Sequence, residues 1–386
     1  MIHTALLAVI YLAFISLGLP DGVLGVAWPA MRFSFGQPVQ AAGLVTLILT
    51  VCSAASGFAS GVVLKRLGTG PVVMVSGFLT GFALLGFAMA PSFGWILLLA
   101  VPLGFGAGAV DSGLNHFVAE HYSSRHMNWL HGCWGIGATL GPFIMGSALA
   151  GAPGWQEGYR HIALVQLALA LVFLLSLPLW KREHSSPGKK ADVGMRPGPR
   201  AMTPAWAPWL AASLFMVYAT VEVGTGLWAA SILVDGRGMA AQTAGLWVSC
   251  FFGAIMAGRF AIGLVAARLG NRVLVRLGLV TAMLGALLFA LPDVTQTVSL
   301  AGLVLLGLGG APIYPSLMHE TTRRFDADTA RTVVGRQVAF AALGSAIGPA
   351  ALGVLGAQLG LGAIMPAVLL ALCVLLALTW RLDRVT

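Results

Sequence analysis

The sequence predicts an all-α membrane protein of twelve transmembrane helices in two pseudo-symmetric six-helix halves, with N- and C-termini both cytoplasmic. Three observations carry this. The composition is that of a lipid-facing chain, the apolar residues fall into twelve runs of membrane-spanning length, and motifs of the first six runs recur in the last six.

Of the 386 residues, 58% are hydrophobic and 9% charged, against roughly 25% charged in an ordinary soluble domain. So little charge cannot cover a water-facing surface, and the chain's solvent is mostly lipid. The 50 glycines read as packing residues, because helices in lipid associate where small side chains let backbones approach. Cys52, Cys133, Cys250 and Cys373 lie far apart inside apolar runs, a spacing that fits neither a metal site nor a disulfide staple. The net charge of +9 is spread over short breaks between runs rather than gathered in a patch, which points to membrane topology and not to a nucleic-acid partner.

The runs cover residues 4–31, 41–64, 71–91, 95–120, 128–150, 161–180, 207–234, 241–266, 273–292, 296–320, 332–357 and 361–380. Each can cross a hydrocarbon core of about 30 Å at about 1.5 Å per residue. The first run is too long for a cleaved leader and lacks its basic lead-in and cleavage site, so it is expected to remain as the first span. With a cytoplasmic N-terminus, Arg32, Arg160 and Arg237 are the only basic residues outside and Arg259 the only one within a span; the other eighteen lie inside. That asymmetry fixes the orientation. The polar stretch from His184 to Pro204 has the proline, glycine and lysine content of a linker. The expected domains are therefore 1–182, a linker at 183–206, and 207–386.

Two echoes join the halves. GVVLKRLG at Gly61–Gly68 is answered by GLVAARLG at Gly263–Gly270, and Gly137, Gly141, Pro142 and Gly146 recur in the same spacing as Gly344, Gly348, Pro349 and Gly353. Paired repeats of this kind place a solute site at the interface of the two halves, near the bilayer midplane. Together the two patterns resemble the Major Facilitator Superfamily, whose signature lies in the loop after the second helix. The family's usual aspartate there is replaced by Lys65 in the first half and Ala267 in the second. Four patches, including LPDGVLGVAWP at Leu19–Pro29, GAGAVDSGLNHFV at Gly106–Val118 and IYPSL at Ile313–Leu317, are similar to the fucose permease type of sugar:proton symporter. That resemblance implies roles in substrate binding and proton coupling for Asp21, Asp111 and Asn115, and brings in Tyr314. An acid on the seventh helix of related sugar carriers is matched by Glu222.

An acid inside a membrane helix is costly enough that it usually faces a water-filled path and has a function. Asp21, Asp111 and Glu222 qualify. Low-dielectric surroundings favour the neutral form of a carboxyl group, which is what a carrier needs to take a proton on one side and release it on the other. Asp21 sits between Pro20 and Gly22, which break the helix; it either satisfies that break or faces a cavity whose wall continues at Gly25 and Trp28. Asp111 and Asn115 share a helix face and suit hydroxyl groups, or clamp two helices together. Glu222 shares a face with Tyr218, with Trp228 close by, and serves either as a proton carrier or as the partner of Arg259. An Arg259 free of that pairing would bind an anionic substrate. The expected substrate-binding set is Asp21, Trp28, Asp111, Asn115, Tyr218, Glu222, Trp228 and Tyr314. A gate is expected where Glu120 reaches Lys65 and Arg66, and Glu320 reaches Arg268.

The residues point to proton-coupled symport of a small neutral hydroxylated solute such as a monosaccharide, by a monomer in the cell membrane, the inner membrane if the source is bacterial. Sodium is an alternative coupling ion, because the same residues are oxygen donors. Proton-driven efflux of an amphipathic drug or metabolite is the alternative function, using Trp134 and the other aromatics as cavity walls. A sensor or scaffold would need an appended domain. Enzyme chemistry is excluded by the lack of a phosphate-binding glycine loop joined to lysine, a metal-ligand cluster or a nucleophile triad, and no cofactor or metal is expected.

Overall fold

The computed structural model describes residues 2–122, 124–152, 154–183, 204–291 and 296–386. Side chains at a few further helical positions, Glu120 among them, lie outside the described residues, as does most of the expected linker. Among the described residues the chain is entirely helical: α1 Ile2–Gly18, α2 Val23–Ser34, α3 Ala41–Leu67, α4 Thr69–Ala88, α5 Phe93–His121, α6 Ser124–Ala148, α7 Trp155–Glu183, α8 Ala207–Val234, α9 Ala241–Leu269, α10 Asn271–Ala290, α11 Gln296–Gly310, α12 Ile313–Arg324, α13 Ala327–Leu359 and α14 Ile364–Asp383. In a hydrocarbon solvent a helix satisfies its own backbone donors and acceptors, which is why apolar runs of this length adopt no other form.

Fourteen helices make twelve spans, because the first and tenth spans are each broken once. α1 stops at Gly18 and α2 starts at Val23, with Asp21 N–H bonded to Gly18 O and Gly22 in the left-handed region at φ 73°. The break expected at Leu-Pro-Asp-Gly is therefore present. Ala311 and Pro312 interrupt the tenth span without a left-handed residue, Pro312 having φ −75°. Among the described residues eleven helices are long and apolar enough to cross a membrane. α6 is the twelfth span; its 25 residues suffice in length, and its histidines and Asn128 at the N-terminal end lower its apolar character.

The chain divides into two compact units. The first comprises Met1–Pro38, Leu44–Asp192 and Met239–Ser249; the second comprises Val39–Gly43, Val193–Gly238 and Cys250–Thr386.

Each unit is held by the same device. In the first, α1 packs on α6, and a methyl group added at Gly137 or Gly141 would run into the carbonyl oxygen of Ile15 or Leu19. In the second, α8 packs on α13, and a methyl group at Gly344 or Gly348 would strike Met216 O or the Thr220 hydroxyl. The glycine spacing thus marks the place where one helix lies directly against the backbone of another. The second echo has a backbone cause too. Gly68 and Gly270, the last residues of the repeated octapeptides, both take φ near +78°, at 79° and 77°, a turn that residues with a Cβ rarely make.

Candidate functional site

In the first unit the break between α1 and α2 presents Asp21. Its carboxylate accepts the indole N–H of Trp134 on α6 at 2.7 Å. A short polar side chain in an unwound stretch can leave the helix axis, and the close α1–α6 packing brings the tryptophan within reach. Asp21 lines a cavity of about 220 Å³ inside this unit, whose walls include the hydroxyl-bearing Thr50, Ser53 and Tyr159 and the ring of Phe87. Phe87 and Tyr159 meet edge to face, their centroids 5.3 Å apart. The cavity thus sets a carboxylate and a few hydroxyl groups in walls that are mostly apolar, built from Leu17, Leu24, Leu49, Leu84 and Leu103 together with the aromatic faces.

Asp111 and Asn115 form the pair that their spacing on α5 predicts. Asn115 Nδ2 donates to Asp111 Oδ1 and to the Asp111 backbone oxygen, both at 2.9 Å. Asp111 is exposed and is not among the cavity walls, to which its neighbour Val110 belongs. The two acids of the first unit therefore occupy separate places.

In the second unit Glu222 on α8 receives the Arg259 guanidinium from α9, with Nη2 at 3.2 Å from Oε1 and 3.4 Å from Oε2. The side chains are 15% and 19% exposed, so this is a largely buried ion pair. Tyr218 and Tyr314 belong to the same electrostatic group. The Tyr218 hydroxyl donates to Gly310 O at 2.8 Å, and its ring lies 6.2 Å from that of Tyr314. The void beside Tyr218 and Glu222 measures only about 10 Å³. Of the readings open for Glu222, the structure supplies the pairing with Arg259.

Two of the expected substrate-binding residues are buried in helix contacts. Trp28 and Trp228, expected to face solute, are each 0% exposed. Trp28 is turned into the first unit against Phe93, with centroids 5.9 Å apart, and Trp228 donates its indole N–H to Pro349 O at 2.8 Å. Trp228 fills the space beside Gly353, where an added methyl would run into its ring, and large flat rings of this kind bury much apolar area.

The charged helix ends also depart in detail from expectation. Lys65 and Arg66 are exposed, while the Glu120 side chain lies outside the described residues. Glu320 meets Arg272 at 3.1 Å rather than Arg268, which is exposed. Asn271, Arg323 and Arg324 also approach Glu320. The cluster extends to Asp383 on α14, which takes Arg324 at 2.5 Å and Arg276 at 2.7 Å. Sequence reasoning missed Asp383 altogether. Its signal, an acid at the end of the last apolar run, reads as an ordinary solvated helix terminus.

The model of the Major Facilitator Superfamily matches residues 10–349 and residues 210–386. A cis,cis-muconate transport protein of Acinetobacter baylyi (strain ATCC 33305 / BD413 / ADP1) is 23% identical over 385 residues, taking in 94% of this chain and 91% of that protein. A crystal structure of a bacterial homologue of the human lysosomal transporter Spinster superposes with a TM-score of 0.81 at 14% identity, over 100% of this chain and 97% of that one. The nucleoside transporter NupG gives a TM-score of 0.77 at 13% identity, over 99% and 100% of the two chains. At such identities the solved structures speak for the fold alone. The family model, which spans both six-helix halves, does more: this chain belongs to the Major Facilitator Superfamily, a family of transporters and not of enzymes.

Proposed function

We propose that the chain is a proton-coupled symporter that carries a small neutral hydroxylated solute, such as a monosaccharide, across a cell membrane by alternating access, with both termini cytoplasmic. The observation that carries this reading is Asp21, an acid at a helix break, held by an indole N–H and facing a cavity of about 220 Å³ with hydroxyl and aromatic walls. The volume lies below the roughly 300–1,000 Å³ of pockets for drug-sized ligands, which favours a small solute over efflux of a bulky amphipath. Hydroxyl groups suit carboxylate and hydroxyl acceptors, and aromatic faces suit the C–H faces of a sugar ring. Asp21 is taken as the proton carrier, with Asp111 and Asn115 as a second polar station. The resemblance of four patches to the fucose permease type supports the same substrate class. The arginines around Glu320 are a conformational control, since none of them lines the cavity.

A second reading has its own observation. Arg259 is a cation within a span, and the relative named for cis,cis-muconate carries a dicarboxylate. If Glu222 released Arg259, the guanidinium would take a carboxylate substrate. One assay separates the two readings. Liposomes reconstituted with the protein and loaded with a pH-sensitive dye are given neutral sugars, polyols and cis,cis-muconate, wild type beside Asp21→Asn and Asp111→Asn. Acidification driven by a sugar or polyol, and abolished by Asp21→Asn, is the expected result. A response to muconate alone, lost in Arg259→Gln, replaces the sugar reading with carboxylate symport.

A further inference from the structure

The charged end of the second unit holds more cation than its acids neutralise. Glu320 and Asp383, each with a buried side chain, are met by the guanidiniums of Arg272, Arg276, Arg323 and Arg324. Four positive charges thus face two negative ones. Arg324 is buried between the acids, so the surplus falls on its exposed neighbours, of which Arg272 and Arg276 lie one turn apart at the start of α10. Arg272 gives its Nε–H to Glu320 at 3.1 Å, and Arg276 gives one Nη–H to Asp383 at 2.7 Å. A guanidinium carries five N–H donors in a planar fork. Each of the two arginines therefore keeps donors for a second acceptor.

Their side of α10 is also its lipid side. Val273, Leu277, Val280 and Leu284 are exposed, and their spacing of four and three puts them on one face with Arg272 and Arg276. An exposed apolar stripe on a span of this length faces hydrocarbon. α14 packs beside α10 and exposes Leu370 and Val374, then Trp380 in its last turn. The Arg276 guanidinium lies over the Trp380 ring, 5.8 Å from its centroid, and tryptophan is enriched where hydrocarbon meets headgroups. The surplus charge thus sits where a lipid-facing surface reaches the membrane boundary.

We propose that this α10–α14 face binds an anionic phospholipid, with Arg272 and Arg276 taking the headgroup phosphate and the acyl chains lying along the exposed stripes of the two helices. The planar fork of arginine matches phosphate geometry, and basic clusters between spans on the cytoplasmic side take anionic headgroups. The orientation read from the basic residues puts the start of α10 and the end of α14 on that side. A phosphate free in water would use the same donors but would gain nothing from the apolar stripe beside them. The site is independent of the solute carried, so it stands whichever substrate the transport assay selects.

The test is native mass spectrometry of the purified full-length protein in detergent, with phosphatidylglycerol and phosphatidylcholine added in turn. Phosphatidylglycerol should bind the wild type more tightly. Arg272→Gln/Arg276→Gln should weaken that binding about 25-fold, at about fivefold for each arginine beside an anionic headgroup. Arg32→Gln/Arg160→Gln, which removes the same charge elsewhere in the chain, should leave it unchanged. Equal binding of the two lipids, or an equal loss in the two double variants, overturns the proposal. So does full competition by inorganic phosphate at the concentration of the lipid, which makes the site one for a free anion. If Arg272→Gln/Arg276→Gln does not fold, tryptophan quenching in proteoliposomes decides. Brominated phosphatidylglycerol should quench the wild type more than brominated phosphatidylcholine, and the excess should disappear in Trp380→Phe. Equal quenching by the two lipids, or an excess that survives in Trp380→Phe, overturns the proposal as well.

Discussion

Asp383→Asn should be among the most destabilising single substitutions at the charged end of the second unit. Asp383 is 4% exposed at its side chain and serves three arginines, with Arg324 at 2.5 Å, Arg276 at 2.7 Å and Arg272 at 3.9 Å. These are unequal partners. Arg276 and Arg272 are 46% and 40% exposed and recover hydration when the carboxylate is lost, so each pair contributes below about 1 kcal/mol. Arg324 is 2% exposed and cannot recover it. Removing one member of a buried pair costs about 3–5 kcal/mol, and the low end applies here, because Arg324 keeps Thr386 Oγ1 at 3.1 Å and Glu320 at 3.9 Å. The expected loss is therefore about 3 kcal/mol for Asp383→Asn and below about 1 kcal/mol for Arg276→Ala. Unfolding in mixed micelles by titration with sodium dodecyl sulfate, followed by circular dichroism, measures both. The double variant Asp383→Asn/Arg324→Met should recover most of the loss, because it removes the stranded charge along with its partner. If Asp383→Asn costs no more than Arg276→Ala, or the double variant is worse than the single, the cluster is not a buried network and the reasoning fails.

The packing glycines give a graded set. Gly137→Ala and Gly344→Ala should each cost about 1–3 kcal/mol by overpacking in the same micelle titration, whereas Gly61→Ala, whose added methyl meets open space inside α3, should raise the unfolding midpoint slightly, by up to about 1 kcal/mol. Arg259→Gln should destabilise by about 3 kcal/mol or more by stranding Glu222, and Arg259→Gln/Glu222→Gln should restore stability; a double variant as unstable as the single would count against a simple ion pair. Asp326 caps α13, accepting the Thr329 N–H at 3.1 Å, and that bond holds its carboxyl below the usual carboxylate range. A depressed carboxyl stabilises the fold above its unfolded value of about 3.9 and loses that effect as pH falls through the folded value. The wild type and Asp326→Ala should thus differ in unfolding midpoint at pH 7 and converge in strong acid; a difference that persists at the lowest pH would exclude the cap.

Much of the architecture was legible because lipid imposes simple rules. Apolar length gave the spans; most helix ends run a few residues past the expected bounds because polar termini continue the helix beyond the hydrocarbon, while α4, α6 and α10 stop two or three residues short at their C-terminal ends. The Gly137 and Gly344 motifs marked the α1–α6 and α8–α13 contacts, since backbone approach needs small residues at fixed spacing. Side-chain partners were less legible. Glu320 was expected to meet Arg268, but the left-handed turn at Gly270 leaves Arg268 on the end of α9 and starts α10 with Asn271 and Arg272 facing the acid. Trp28 and Trp228 carry no sign in the sequence of which way their rings turn. Gln166 and Thr80 lie 86 positions apart, and only the packing of α4 on α7 makes them a pair.

The repeat also explains why the acids differ. A methyl group on the α6 glycines would strike Ile15 on α1 and Leu19 just after it, and one on the α13 glycines would strike Met216 and Thr220 on α8. This register puts Asp21 and Glu222 at equivalent places. Their partners do not follow the repeat. In the same register the position of Trp134 on α6 is Ala341 on α13, and the position of Arg259 on α9 is Gly57 on α3. Each acid therefore takes its partner from a different helix: Asp21 from an indole, Glu222 from a guanidinium. An indole N–H donates to a carboxylate more strongly than to a carboxylic acid, but the neutral acid keeps a carbonyl oxygen that can accept, so Trp134 can keep a weaker hold of Asp21 through a change of protonation. A buried guanidinium has no such tolerance, since losing the facing charge strands its own. On the proposed reading, duplication of one acid-bearing helix has been followed by division of labour, with the first copy kept for coupling beside the cavity and the second committed to holding α8 against α9.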